Sequence, residues 1–245
     1  TKYLLGLIYK EYKMINEQLV WFIDGRYFYN TITLDKIITL ASAHQQPLKI
    51  IIDVRVKSTE RWYWRSISKD TNTANNELAI INNNKQDLLD ALATRSIEAE
   101  IIVTQSADHI EVINTELAKK NNSLLILEDT PPKKRHPVFQ TLTEINSPVL
   151  LLSNSPWKKP LNIIGAVDPL HENDRPAKID DSIVKQLKSW NKALSAQWTL
   201  VHCCYISSVL YKYKNKVLVM HKEGLQEFAE QFLVKKAQYI LLEGL

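Results

Sequence analysis

Twice along this chain a short, almost wholly apolar run closes on an aspartate and is followed by the same alternation of helix-like and strand-like segments. The first run is Leu19–Asp24 (LVWFID) and the second Asn162–Asp168 (NIIGAVD). After the first, Leu34, Ile37, Ile38 and Ala41 have helical spacing over Leu34–His44, and Leu48–Val54 (LKIIIDV) is a β-branched strand. A polar loop rich in aromatics leads to a helix over Glu77–Arg95, with Leu78, Ile81, Leu88, Leu89 and Leu92 on one face. Ala99–Thr104 is a third strand. Ser106 or Asp108 caps a helix that runs through Lys120 and turns Ile110, Ile113 and Leu117 inward. Ser123–Leu127 is a fourth strand, Val138–Ile145 a short helix and Pro148–Leu152 a fifth strand. The strands are continuous apolar runs, as buried parallel strands are, so the fold predicted is α/β with an open, doubly wound parallel sheet.

Ser153–Pro160 (SNSPWKKP) is a polar, proline-bearing linker, and after it the pattern restarts. A helix is predicted over Asp180–Ala196, a strand over Trp198–Tyr205, a helix over His221–Phe232 and a strand over Tyr239–Leu242. Asp24 and Asp168 close the two first strands, and the third strands centre near Ile102 and Leu241, a nearly constant offset that indicates duplication. The division expected is a helical extension over residues 1–18, a first domain over 19–152, a linker over 153–160 and a second domain over 161–245, truncated after its third strand. Such a half-sheet leaves apolar faces and an exposed edge, so the second domain is expected to pair with another subunit or to lack residues.

The five glycines, Gly6, Gly25, Gly165, Gly224 and Gly244, are scattered. A phosphate-cradling loop needs them clustered, so a P-loop, a G-x-G-x-x-G turn and a kinase-type lid are all excluded. The only cysteines, Cys203 and Cys204, are adjacent, which suits a reducing compartment. Lys2, Lys10, Glu11, Lys13 and Glu17 interrupt any signal-peptide core, and no run is long and apolar enough to span a bilayer. A cytoplasmic protein without membrane contact is expected. The net charge of +4 permits anionic partners without demanding nucleic acid.

Ala166-Val167-Asp168, Val201-His202-Cys203 and Leu242-Glu243-Gly244-Leu245 stand in order and at the spacing of three motifs of the universal stress protein domain, which the second copy resembles. In the first copy Phe22-Ile23-Asp24 and Ser147–Leu152 carry a weaker likeness, and the pair is similar to the tandem, two-domain E-type members. The resemblance covers roughly residues 19–245. It implies two Rossmann-like, adenine-nucleotide-hydrolase-like domains in a cytoplasmic, usually dimeric stress-response protein. The dimer is a homodimer or a pseudo-dimer of the two domains, with protein partners that the sequence leaves open. In nucleotide-binding members the adenine meets the first-strand aspartate and the end of the second strand. The phosphates meet a G-x2-G-x9-G-(S/T) stretch after the fourth strand. By that comparison Asp168, Ala166, Cys203 and Asp24 are the candidate nucleotide-binding residues, and ATP is the candidate ligand, no cofactor being fixed. After the fourth strand, however, this chain reads Glu128-Asp129-Thr130-Pro131-Pro132-Lys133-Lys134-Arg135-His136, with no glycine and with two prolines that remove amide donors.

Other candidates have bland readings beside the functional ones. His202 and Cys204 share a strand face and form a conceivable metal half-site, but a core strand with small buried thiols is the favoured reading. Pro169–Arg175, with His171, Glu172 and Asp174, could orient a ligand or metal, but a solvated loop is the favoured reading. Glu60–Arg65 (ERWYWR) interleaves aromatics and arginines as single-strand platforms do, yet packing over the sheet or at a dimer contact is favoured and nucleic acid is disfavoured. Lys133–His136 reads as a solvated basic loop. Leu4, Leu5, Ile8, Tyr12 and Ile15 form a helical stripe suited to docking. No catalytic residue and no metal motif is assigned. The function expected is a non-enzymatic stress-response factor acting by protein association and ligand sensing. The alternatives are an ATP sensor or slow ATPase using the second domain, and a single-strand-binding stress factor.

Overall fold

The structure is a computed structural model that describes residues 18–25, 29–54, 71–106, 108–131, 136–170 and 178–244, without the side chains of 71–80, 178 and 244. The expectations for residues 1–17, Glu60–Arg65, 133–135 and 171–175 lie outside these residues. The chain divides into two compact units, Asn16–Pro156 and one containing Trp157–Leu245. Among the described residues no helix is long and apolar enough to cross a membrane.

In the first unit five parallel strands, β1 (Gln18–Asp24), β2 (Leu48–Asp53), β3 (Ala99–Thr104), β4 (Ser123–Glu128) and β5 (Val149–Leu152), lie in the order β3-β2-β1-β4-β5. This is the doubly wound α/β sheet predicted. The apolar runs of β1, β2 and β4 are buried along nearly their whole length, whereas the edge strand β3 is only partly covered. Lys49 interrupts β2 yet is buried, because its ammonium meets Glu116 at 2.7 Å and Glu100 at 3.0 Å.

Helix α1 (Thr31–His44) starts where Asn30 Oδ1 accepts from the Ile32 amide at 2.8 Å. Helix α2 is Thr71–Ala93. Helix α3 (His109–Leu117) is capped by Asp108, which accepts from the Glu111 amide at 2.9 Å. It ends short of Lys120, where the Ser123 hydroxyl donates to the Leu117 carbonyl at 2.9 Å. In place of the short helix predicted over Val138–Ile145 there are two 3-10 turns, Pro137–Gln140 and Leu142–Glu144. Thr141 leaves helical geometry between them, so no continuous i→i+4 ladder forms. The winding reverses between β1 and β4. Right-handed crossovers therefore fall on opposite faces on either side of that point and cover both. One covering layer buries Val20, Phe22 and Leu125 against Ile113, Leu117 and Val138.

In the second unit three parallel strands, β6 (Asn162–Ala166), β7 (Gln197–Tyr205) and β8 (Tyr239–Gly244), lie in the order β6-β7-β8. Both crossovers run in one direction, so right-handedness puts helices α4 (Lys178–Leu194) and α5 (Lys214–Gln231) on the same face. Leu187 of α4 and Phe228 of α5 close a core on Trp198 and Leu200 of β7. On the opposite face Ile164 of β6 is 69% exposed, and Ile240 and Leu242 of β8 are exposed as well. Helix α5 begins at Lys214, ahead of the predicted His221, and follows a 3-10 turn over Ser208–Tyr213. The contiguous run Val217-Leu218-Val219-Met220 has no helical period and so hides that start.

Candidate functional site

At the carboxyl end of the first sheet, where the winding reverses between β1 and β4, lies a cleft of about 370 Å3. Open α/β sheets place ligands at this position, because the two crossovers diverge there and leave a crevice. Asp24 ends β1 and Glu128 ends β4, so strand geometry alone brings both carboxylates to the cleft. Tyr29, Asn30 and Asn154 add polar groups, and Phe22, Val138 and Phe139 supply apolar walls.

Gly25 makes this corner possible. Its amide donates to the Asp53 carbonyl at 2.7 Å, and a Cβ there would stand 2.7 Å from that oxygen and 2.8 Å from Val54 Cγ1.

Behind the cleft a histidine and an acid are locked together. The Nε2 of His136 lies 2.9 Å from Asp53 Oδ2, and both side chains are buried. The Nδ1 of His136 accepts from the Val138 amide at 3.1 Å, so the ring proton sits on Nε2 and is donated to the Asp53 carboxylate. The Phe22 and His109 rings pack edge-on against the imidazole at 4.9 and 5.1 Å. His136 is therefore no part of a solvated basic loop, as its neighbours in sequence suggested; it is an anchor that fixes the end of the loop after β4. Asp53 carried a signal in the sequence, since it closes LKIIID as Asp24 closes LVWFID.

Among the described residues, Asp24 and Glu128 bring carboxylates to the cleft. No lysine or arginine lines the cleft among the described residues. Lys36 stands near Glu128, but it is buried and its Nζ donates to the Ser153 carbonyl at 2.6 Å. Burial lowers the pKa of Lys36, with Glu128 pulling the other way. Burial also raises the pKa of Glu128, opposed by Thr33, the Asn30 backbone and Lys36. The amide of Asp129, the first after β4, is already bonded to the Leu152 carbonyl at 2.8 Å. A phosphate entering from this side would meet the Glu128 carboxylate and Pro131, and the first amide after β4 is not free to receive it.

In the second unit Ala166 ends β6, and Asp168 lies just beyond it beside the end of β7. The Asp168 amide donates to Asp180 Oδ2 at 3.1 Å, in the first turn of α4. Asp168 Oδ1 lies 3.7 Å from His202 Nδ1. That nitrogen donates to the Val167 carbonyl at 3.0 Å, and His202 Nε2 meets His221 Nδ1 at 2.7 Å. A carbonyl can only accept, so neutral His202 carries its proton on Nδ1 and His221 donates from Nδ1. Both nitrogens of His202 are thus occupied, which removes the half-site imagined with Cys204. Cys204 is buried, and burial raises its thiol pKa, with Glu243 adding to the effect. Cys203 is exposed on the opposite face of the sheet. Among the described residues no group of three or more histidine, cysteine, aspartate or glutamate side chains is placed to hold a metal.

No family model matches the sequence, and no curated protein matches it. Solved structures do match its fold. A functionally unknown protein from Pseudomonas aeruginosa PAO1 superposes with a TM-score of 0.66 at 14% identity, over 94% of this chain and 74% of the other. A protein assigned to the universal stress proteins, from Pseudomonas aeruginosa UCBPP-PA14, gives a TM-score of 0.66 at 13% identity, over 94% of this chain and 75% of its own. The chain has the fold of the universal stress proteins.

Proposed function

We propose that this chain is a tandem universal stress protein of the cytoplasm that works by protein association and ligand sensing and turns over no nucleotide. One observation carries the reading: Asp24, Glu128, Thr130 and Pro131 line the cleft at the sheet's reversal, and the amide of Asp129, the first after β4, is already bonded. Among the described residues the cleft is lined by two carboxylates and by no lysine or arginine, an arrangement that disfavours a polyphosphate and suits a ligand that carries hydrogen-bond donors or positive charge. Asp24 and Glu128 accept from such a ligand while Phe22 and Phe139 cover its apolar side. Asp168, held beside His202, orders the end of β6 and contacts no nucleotide in this reading. The test is ATP turnover by the full chain, measured with Mg2+ present. Turnover that disappears in Asp168→Ala or Asp24→Ala sinks the proposal.

A further inference from the structure

Among the described residues of the second unit, the segment joining β7 to α5 and the first turns of α5 carry a run of exposed apolar side chains. Val209 is 78% exposed, Tyr211 64% and Met220 53%, with Leu210, Tyr213 and Val219 also exposed. The 3-10 turn over Ser208–Tyr213 puts its apolar side chains in solvent one after another. In the first turns of α5, Lys216, Val219 and Met220 share one helix face by their i, i+3, i+4 spacing, away from the buried Leu225, Phe228 and Ala229. From Ser207 to Lys222 the charged residues are all lysines, Lys212, Lys214, Lys216 and Lys222. Lys214 is paired with Glu243, and Lys212 sits over the Tyr213 ring at 4.9 Å.

We infer that this ridge docks on a bilayer carrying anionic lipids. Its chemistry is that of an interfacial anchor: protruding aliphatic and tyrosine side chains for the acyl boundary, ringed by lysines for the headgroups. A second copy meeting it across a two-fold axis would set lysines against lysines. A helical peptide needs a groove, whereas side chains this exposed form a ridge. The inference revises the expectation of no membrane contact and fits a cytoplasmic protein, since the cytoplasmic leaflet is the anionic one.

The experiment is co-sedimentation of the full chain with vesicles of phosphatidylcholine alone and with a third phosphatidylserine. Binding is expected only to the anionic vesicles, weakening as salt rises. Lys212→Gln with Lys216→Gln should weaken it by about fivefold per lysine. Val209→Ser with Met220→Ser should abolish it while leaving the thermal melt unchanged. Equal binding to neutral vesicles, binding indifferent to these substitutions, or binding to polyglutamate but to no vesicle would each overturn the inference, the last pointing to an acidic protein partner.

Discussion

The residue that most sharply separates this cleft from a solvated loop is His136. Its two nitrogens are bonded to Val138 and Asp53 inside the core, so replacing it takes a hydrogen bond from a buried carboxylate. His136→Leu should cost about 1.5–3 kcal/mol, the range for a hydrogen bond to a charged group, read as a shift in the urea midpoint. His44 gives a second test. It is buried at the end of α1, and burial lowers its pKa below the ordinary 6.5. The unfolded chain then binds a proton that the folded one refuses, so stability falls as pH drops below about 6.5. Urea midpoints at pH 7.5 and 5.5 should differ less in His44→Gln than in the parent. The role of His136 was not legible beforehand, because a histidine beside Lys133, Lys134 and Arg135 looks solvated until its ring is seen on Asp53 of β2. Asp24 was legible, since an acid closing an apolar run announces the end of a parallel strand.

At the scale of elements, the strands were readable because burial on both faces leaves an unbroken apolar run, as in LVWFID, LKIIID and SLLIL. Helix starts were less so. Asp108 caps α3 as expected, while α5 opens at Lys214 in a stretch whose lysines and apolar run carry no period. Packing of α4 on β6 explains one glycine that the sequence left unassigned. A Cβ at Gly165 would collide with Leu187 Cδ1 and lie 2.9 Å from Ile183 Cγ2, both on α4. Gly165→Ala should therefore destabilise the second unit by about 1–3 kcal/mol through overpacking, measurable as a lowered melting transition. An unchanged transition would mean that α4 can move away from the sheet at no cost.

For the whole molecule, sheet order decides where function can lie. A β3-β2-β1-β4-β5 sheet has a reversal point and hence a crevice, whereas the β6-β7-β8 sheet has none. The sequence foretold the alternation behind both sheets, but not which side chains would meet at the crevice, because Glu128, Asp53 and His136 converge only through tertiary folding. Glu128 is held against its preference for water, as its raised pKa shows. Glu128→Gln should raise the melting temperature at neutral pH, the usual sign of a group kept for binding at a cost in stability. The most direct test of the central claim is isothermal titration calorimetry of the full chain with Mg2+-ATP. The proposed function predicts no binding heat at millimolar nucleotide; saturable binding of one ATP per chain, weakened by Asp24→Ala, would contradict it.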